Sequence, residues 1–439
     1  MTPFAVRLSP PLKGSIALPG DKSIAHRAVI LSALSRGKTI IRNFPFNQDC
    51  LQTVSALRQL GLQISCDKKN NTLCVVSRGL YPPKGRIFTG ESGTTIRLLA
   101  GVAAGQPFET VFEAGKSLSR RPMLRVTAPL RLMGACIRAR QKAHKGRKEE
   151  YPPLLIRGGA LKGIRYRLPV ASAQVKSSML LAGLFAKGTT CVIEPIKTRD
   201  HTERMLKVFK ARLSVKGARV SLKGPQSLKT PGLVNVPGDF SSASFFIAAA
   251  LLVKGSALVI RDVGLNPSRI GALRVLQRMG AQITGKVSRG HAGEPSGSLL
   301  VKSSSLRAVR IRAEEIPYLI DELPVLMVAA ACARGRSVFE GIQELRVKET
   351  DRIRSMSENL KKMGVGVRLV RTRGSEKMII TGAKALRGAR VRSFGDHRTA
   401  MSMVIAGMVA SNTTVIDDIG CIRKSFPGFL QKLKSCQAR

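Results

Sequence analysis

Tryptophan is missing from this chain, and four Tyr with fifteen Phe leave aromatics at 4% of 439 residues. A protein that holds single-stranded nucleic acid by stacking needs aromatic platforms, and few exist here. Acidic residues are scarce too: 27, against 74 Lys and Arg, for a formal charge of +47. Such an excess ordinarily points to nucleic acid or another polyanion. The positive charge is spread along the whole chain without a basic tail, so a small, multiply charged anion accounts for part of it. The densest basic stretch, Arg138 to Lys148, runs into Glu149 and Glu150 and is expected to be a solvated hairpin or loop.

No apolar run reaches the roughly 18 residues a membrane span needs. The longest, such as Leu323 to Ala333, suit buried helices. The opening MTPFAVRLSPPLKG lacks the charged-then-apolar pattern of a leader, so a soluble cytosolic protein is expected. Eight cysteines form no C-x-x-C pair and read as reduced structural thiols. Five histidines make no H-x-x-x-H or H-x-E pattern, so no metal is expected. Gly20-Asp21-Lys22-Ser23 ends as a phosphate-binding loop does, but Asp21 stands where that loop needs glycine.

One kind of segment recurs six times: a polar cluster, an apolar helical run, then usually a small-residue stop. The instances start at Asp21, Ser92, Ser172, Asp239, Asp321 and Asp396, about 75 residues apart. Each run is apolar on nearly every face and should be a buried helix. Each begins with an N-cap residue, and most are expected to end at Gly. Between them lie strand-like pieces, such as Asn71 to Gly79 and Leu386 to Gly395, and amphipathic helices suited to an outer surface. The unit is therefore β-α-β-α-β-β, an α/β class. Six units divide into two lobes of three, with the joint near Lys229 to Asp239. The expected lobes are residues 21–236 and residues 1–20 plus 237–439, the N-terminal strand pairing in the latter, with an active cleft between them.

The start of a buried helix presents unpaired N–H groups and the positive end of its dipole. Several such starts facing one cleft make an anion site, and Lys22, Arg27, Arg97, Lys176 and Arg398 lie at those starts.

The segments PGDKSIAHR (19–27), SGTTIRLL (92–99), SLSRRPM (117–123), SAQVKSSMLLAGL (172–184), TRDHTERML (198–206), IDELPVL (320–326), LRVKETDRI (345–353), GDHRTAM (395–401) and KSFPGF (424–429) occur in the order seen in the 5-enolpyruvylshikimate-3-phosphate synthases. The chain resembles that family over essentially its whole length, and PGDKSI and SAQVKS look more like its second, bacterial class. The resemblance implies the two-lobed enolpyruvyl transferase fold. The implied reaction transfers the enolpyruvyl group of phosphoenolpyruvate to the 5-hydroxyl of shikimate 3-phosphate through a tetrahedral intermediate, without metal or organic cofactor. It implies a cytoplasmic, monomeric enzyme of small-molecule substrates, with no nucleic acid or membrane partner.

By resemblance, Lys22, Gly93, Arg97, Arg121, Gln174, Arg352, Arg398 and Lys424 surround phosphoenolpyruvate. Shikimate 3-phosphate falls to Lys22, Ser23, Arg27, Ser172, Ala173, Gln174, Arg199, Asp321 and Lys348. Arginine suits such a site because its planar fork pairs two oxygens at once. Taken alone, Asp321 would be a helix cap and Glu349 a salt-bridged surface residue. Within IDELP and VKETDR, Asp321 is the candidate base for the hydroxyl, and Glu349 the candidate acid and base at the methylene carbon. Lys22 joins them as a catalytic candidate; His397 is a further one, or holds a hydrogen-bonding role.

Two positions depart from the family pattern. G-N-[SA]-G-T becomes Gly90-Glu91-Ser92-Gly93-Thr94, putting a carboxylate where an amide donor is usual. That carboxylate would repel a nearby anion unless it pairs with a cation or turns away. The acidic residue of G-D-x-S-L becomes Gly115. Gly93, with no methyl, leaves room beside phosphoenolpyruvate, and inhibition by glyphosate is expected on family grounds. The rival readings are the UDP-N-acetylglucosamine enolpyruvyl transferase and a basic nucleic-acid-binding protein. The former carries a reactive cysteine in the loop matching Val111 to Met123, where this chain has none.

Overall fold

The computed structural model describes residues 3–144, 147–288, 293–372 and 374–438. These divide into two compact units; one runs from Gly20 to Val236 and is joined by Gly293 and Glu294, and the other is built from the remaining stretches on either side. β1 (Phe4–Val6) and β2 (Lys13–Ala17) come first and belong to the flanking unit.

The unit between Gly20 and Val236 holds three repeats. The first comprises α1 (Lys22–Leu34), β3 (Ser35–Arg42), α2 (Gln48–Gln59), β4 (Gln63–Asp67) and β5 (Thr72–Ser77). The second comprises β6 (Ile87–Phe88), α3 (Gly93–Ala104), β7 (Glu109–Glu113), α4 (Leu124–Leu132), β8 (Cys136–His144) and β9 (Arg147–Arg157). The third runs through β10 (Arg165–Arg167), α5 (Ala173–Gly183), β11 (Gly188–Ile193), α6 (His201–Val208), β12 (Leu213–Lys216) and β13 (Arg219–Gly224). The sheets of the second and third repeats share one order, β6-β7-β9-β8 and β10-β11-β13-β12. The first repeat lacks a leading strand. β14 (Leu228–Lys229) and β15 (Leu233–Asn235), from the end of the unit, fill that place by pairing parallel with β3.

The other unit continues with α7 (Phe240–Leu252), β16 (Ala257–Gly264), α8 (Gly271–Arg278), β17 (Gln282–Ser288) and β18 (Ser296–Lys302). Next come β19 (Arg310–Ile311), α9 (Leu323–Ala331), β20 (Arg336–Glu340), α10 (Arg352–Lys362), β21 (Gly366–Thr372) and β22 (Ser375–Thr381). β23 (Arg390–Val391), α11 (His397–Gly407), β24 (Thr414–Ile416) and α12 (Phe429–Ser435) complete it. β2 leads the fourth sheet by pairing parallel with β16, and β1 closes the sixth by pairing antiparallel with β24. The sixth repeat is therefore shorter than the β-α-β-α-β-β unit, its closing strand supplied from the chain's beginning.

Each unit has its own hydrophobic core. α3 and α7 are buried along nearly their full lengths, as runs apolar on every face require. β5 alternates between half-buried and buried residues, the period of a strand with one face inward. Phe245, Phe246, Phe426 and Phe429 gather between α7 and α12, so much of the small aromatic complement serves packing. Among the described residues no helix is long and apolar enough to cross a membrane.

The buried helices end short of most of the expected Gly stops, with Gly183 and Gly407 as the last residues of α5 and α11. Only α3 has glycine, Gly105, at its C-cap; α1 runs straight into extended backbone at Ser35. The expected glycines of the first and third repeats fall inside the next strand: Gly37, third in β3, at φ 110° and Gly188, first in β11, at φ 93°, where a Cβ would be strained. The basic stretch from Arg138 forms the β8–β9 hairpin, and its residues 145 and 146 lie outside the described residues.

Candidate active site

In the unit that begins at Gly20, the starts of α1, α3 and α5 are drawn together by polar side chains. Asp21, Ser92 and Ser172 cap them, accepting from the backbone N–H of Ile24, Thr95 and Val175. Arg97, buried on α3, donates through Nη1 to Gln174 Oε1 at 2.7 Å, and Gln174 Nε2 donates to Thr94 Oγ1 at 2.9 Å. A methyl on Gly93 would lie 2.8 Å from Arg97 Nη1 and 3.0 Å from Arg121 Nη1, so both guanidinium groups converge on bare backbone at the start of α3. Lys22 Nζ donates to Asp49 Oδ2 of α2 at 2.8 Å.

Arg27 is heavily engaged within its own unit. Nε donates to Thr202 Oγ1 at 2.7 Å, Nη1 to the Ser23 carbonyl at 2.9 Å and Nη2 to Ser177 Oγ at 2.7 Å. It thereby bolts α1 to α5 and α6. Burial lowers its pKa to about 10, leaving it charged at neutral pH. Ser23, Ser172, Ala173 and Arg199 are half-buried around this bolt, and the Arg199 charge acts on Arg27. A second relay joins α1 to α2 and α3: His26 Nδ1 lies 2.6 Å from Thr53 Oγ1, which lies 2.7 Å from Thr95 Oγ1, which donates to Ser92 Oγ at 2.7 Å.

Lys176 does not join the anion site. It is fully buried between Glu194 Oε2 at 2.8 Å and Glu203 Oε1 at 2.7 Å, an internal ion triad. The burial that Lys176 must escape to meet a substrate also pushes the Glu203 carboxyl up. Glu91 turns away from the start of α3. Its Oε1 accepts from Ser117 N at 3.1 Å and its Oε2 from Leu118 N at 2.7 Å.

The second cluster lies in the other unit, at the starts of α7, α9 and α11. Asp239 and Asp396 cap α7 and α11, the latter accepting from Arg398 N and Thr399 N. α9 departs from expectation: its cap position is Glu322, and Asp321 lies one residue ahead of it. Glu322 is withdrawn to Arg269 Nη1 at 2.9 Å and to the Ser241 hydroxyl, and Arg269 also reaches Asp239. Arg398 Nη1 donates to the Asp321 carbonyl at 2.8 Å, and its Nη2 lies 3.9 Å from Asp321 Oδ2.

Arg352, fully buried at the first residue of α10, donates through Nε to Asp396 Oδ2 at 2.9 Å and through Nη2 to Glu349. Its Nη1 is 3.7 Å from Asp321 Oδ1. Burial works to lower its pKa, but Asp396, Glu349 and Asp321 outweigh it and raise the pKa above the ordinary value. One oxygen or nitrogen from each of Glu349, Asp396 and buried His397 falls within 4.8 Å of the others. Arg352 already supplies the cation for two of the three. Lys348, half-buried, lies 3.8 Å from Glu344. Lys424 is exposed at the end of a 3-10 turn, Gly420–Lys424, that packs on α11.

Arg97 and Arg121 in one unit, and Arg352 and Arg398 in the other, are thus brought together, whereas Lys176 is drawn off to Glu194 and Glu203 and Lys348 lies beside Glu344. The sequence reading missed the partners that hold the clusters: Asp49, Thr202 and Ser177 in one unit, Arg269, Ser241 and Glu322 in the other. The capping pattern before α7 and α9 marked where Ser241 and Glu322 fall, but nothing local marked Asp49 or Arg269.

The family described as EPSP synthase (3-phosphoshikimate 1-carboxyvinyltransferase) matches residues 6–433. A 3-phosphoshikimate 1-carboxyvinyltransferase of Desulforamulus reducens is 46% identical over 426 residues, covering 96% of each chain. One of Brevibacillus brevis is 47% identical over 422 residues, 95% of this chain and 96% of the relative. The solved EPSP synthase of Acinetobacter baumannii superposes with a TM-score of 0.86 at 39% identity, covering 99% of this chain and 98% of that one. On fold, sequence and the residues gathered at the helix starts, this chain belongs to the EPSP synthase family.

Proposed function

We propose that this chain transfers the enolpyruvyl group of phosphoenolpyruvate to the 5-hydroxyl of shikimate 3-phosphate, releasing inorganic phosphate, and that the residues gathered within each of the two clusters serve that reaction. Two polyanionic substrates repel each other, and bringing them together calls for cationic groups and helix starts held in place beforehand. Arg97, Arg121, Arg352, Arg398, Lys22 and Lys424 take phosphoenolpyruvate and its leaving phosphate, with Gly93 and Gln174 beside it. Ser23, Arg27, Ser172, Ala173, Gln174, Arg199, Lys348 and Asp321 take shikimate 3-phosphate.

In the addition step the 5-hydroxyl oxygen attacks C2 of phosphoenolpyruvate as its proton passes to Asp321. A proton from Glu349 goes to the methylene carbon C3, which becomes a methyl group. In the elimination step a proton leaves that methyl for Glu349, the C–O bond to phosphate breaks, and phosphate departs with the electron pair and takes up the proton that Asp321 had received. Lys22 supports the charge growing on the leaving phosphate, and His397 keeps to a hydrogen-bonding role near Glu349. Arg352 begins paired with Glu349. An arriving anion competes for that guanidinium and loosens the carboxyl it must leave available for chemistry.

The observation that supports this reading best is the setting of Asp321, with Arg352 and Arg398 at 3.7 and 3.9 Å from its carboxylate oxygens. That places a candidate base directly beside two anion-binding groups. A phosphate-release assay with both substrates tests it. Release that requires shikimate 3-phosphate and phosphoenolpyruvate together is expected, and its absence in folded protein would overturn the proposal. The same reading takes the enzyme as a cytoplasmic monomer without a metal or organic cofactor. Sedimentation at a single-chain mass and full activity after exhaustive chelation are the expected outcomes.

A further inference from the structure

The two departures from the family pattern, Glu91 and Gly115, meet in space. The backbone amides of Ser117 and Leu118 open the short 3-10 turn Leu118–Arg120, which leads directly into Arg121. Amides at such an opening require an acceptor. A short acidic side chain at position 115 would stand two and three residues ahead of them, the spacing of an ordinary cap. Gly115 has none, and the cap residue Ser117 makes no side-chain bond either. Glu91 supplies both acceptors instead, Oε1 to Ser117 N and Oε2 to Leu118 N.

The space is shared as well as the task. A Cβ on Gly115 would lie 2.4 Å from Glu91 Oε1 and 2.8 Å from its carboxyl carbon. The same Glu91 accepts the Gly93 N–H through its carbonyl oxygen at 3.1 Å, and Gly90 O accepts from Gly115 N at 2.7 Å. One residue therefore grips the start of α3 by its backbone and the Arg121 turn by its side chain. Those are the two pieces whose guanidinium and bare glycine converge at the site.

We propose that Glu91 is a positioning residue for Arg121, and that Gly115 is the vacancy that admits it. The carboxylate that caps this turn has moved from position 115 to position 91, and the two positions are an exchanged pair. This inference rests on the reading of Arg121 as a phosphoenolpyruvate ligand. It predicts sign-reversing coupling: an acidic residue at 115 is harmful while Glu91 is present and restorative once Glu91 is gone.

The test is a cycle of wild type, Glu91→Ala, Gly115→Asp and the double variant, with kcat and KM for phosphoenolpyruvate and the thermal midpoint measured for each. Loss of hydrogen bonds to a charged acceptor is expected to raise KM about tenfold in Glu91→Ala, with kcat changed less than about threefold. Gly115→Asp alone should also raise KM, and the double variant should recover to within about threefold of wild type. Thermal midpoints should follow the same order. An unchanged KM in Glu91→Ala, or no recovery on adding Asp at 115, overturns the proposal. If Glu91→Ala does not fold, Glu91→Gln keeps one carbonyl acceptor, and Gly115→Asp must then improve it. Arg121→Ala separates the two claims. If it leaves KM unchanged, the role of Arg121 is wrong; if it raises KM while Glu91→Ala does not, only the exchange is wrong.

Discussion

Arg398 holds Asp321 by its main-chain oxygen, at 2.8 Å, and not by a close bidentate grip on its carboxylate. Arg352 stands 3.7 Å from that carboxylate on another side. The residue is thus fixed in position by backbone while its acidic group lies at looser range from both cations. Replacement by Asn preserves shape and the backbone bond but removes the proton acceptor. Asp321→Asn is expected to lower kcat on the order of a hundred- to ten-thousandfold, the usual worth of a positioned acid or base. Affinity for phosphoenolpyruvate, measured by titration calorimetry, should change little. Near-normal turnover would remove Asp321 from the chemistry.

Lys176 is a test of the opposite kind. Buried with Glu194 and Glu203, it neutralises charge that the core would otherwise carry alone. Taking one partner from a buried ion pair typically costs about 3–5 kcal/mol. Lys176→Met is expected to lower the urea unfolding midpoint sharply and leave KM for both substrates unchanged in the fraction that stays folded. A stable variant with a raised KM would return Lys176 to the anion site.

Why these two residues read alike in sequence but differ in the fold is a matter of range. Helix starts are local: a capping oxygen two or three residues before the amide it accepts from, then an apolar run, marks α1, α3, α5, α7 and α11 where they occur. At α9 the pattern slips by one residue, because Glu322 at the cap position is drawn off to Arg269 and Ser241. The acceptors of Lys176 lie 18 and 27 residues further along, on other elements, so its position on α5 could not announce them. The same holds for Glu91, whose direction is decided by amides 26 and 27 residues away. The Gly stops after α1 and α5 were misplaced because Gly37 and Gly188 lie within the start of the next strand, whereas Gly105 does stand at a helix end.

His26 gives the fold a pH response of definite sign. Burial, with lesser contributions from the Lys22 and Arg27 charges and against the opposing pull of the Asp49 and Asp21 carboxylates, lowers its pKa to about 3 from an ordinary value near 6.5. Between those limits the unfolded chain binds a proton that the folded chain refuses. Stability from this residue is therefore complete above about pH 6.5 and is lost as pH falls towards 3, by on the order of a few kcal/mol. His26→Gln, which cannot titrate, should flatten the slope of unfolding free energy across that window in urea titrations. An equal slope in wild type and variant would show that His26 takes up its proton without unfolding.

Gly93 offers the sharpest steric prediction. A methyl there would press to 2.8 Å from Arg97 Nη1 and 3.0 Å from Arg121 Nη1, closer than carbon and nitrogen comfortably approach. Arg97 is further held by Gln174, so it yields less readily than half-buried Arg121. Gly93→Ala should therefore displace the Arg121 guanidinium while leaving the helix start intact, since alanine is a good helix former. The expected result is a KM for phosphoenolpyruvate raised about tenfold or more, the loss of one charge-assisted contact, with thermal stability little changed. Glyphosate, if it occupies the phosphoenolpyruvate site, should weaken in parallel, and competition kinetics would read both constants from one set of titrations. A variant with unchanged KM and unchanged inhibition would show that the space beside Gly93 is not where the smaller substrate lies.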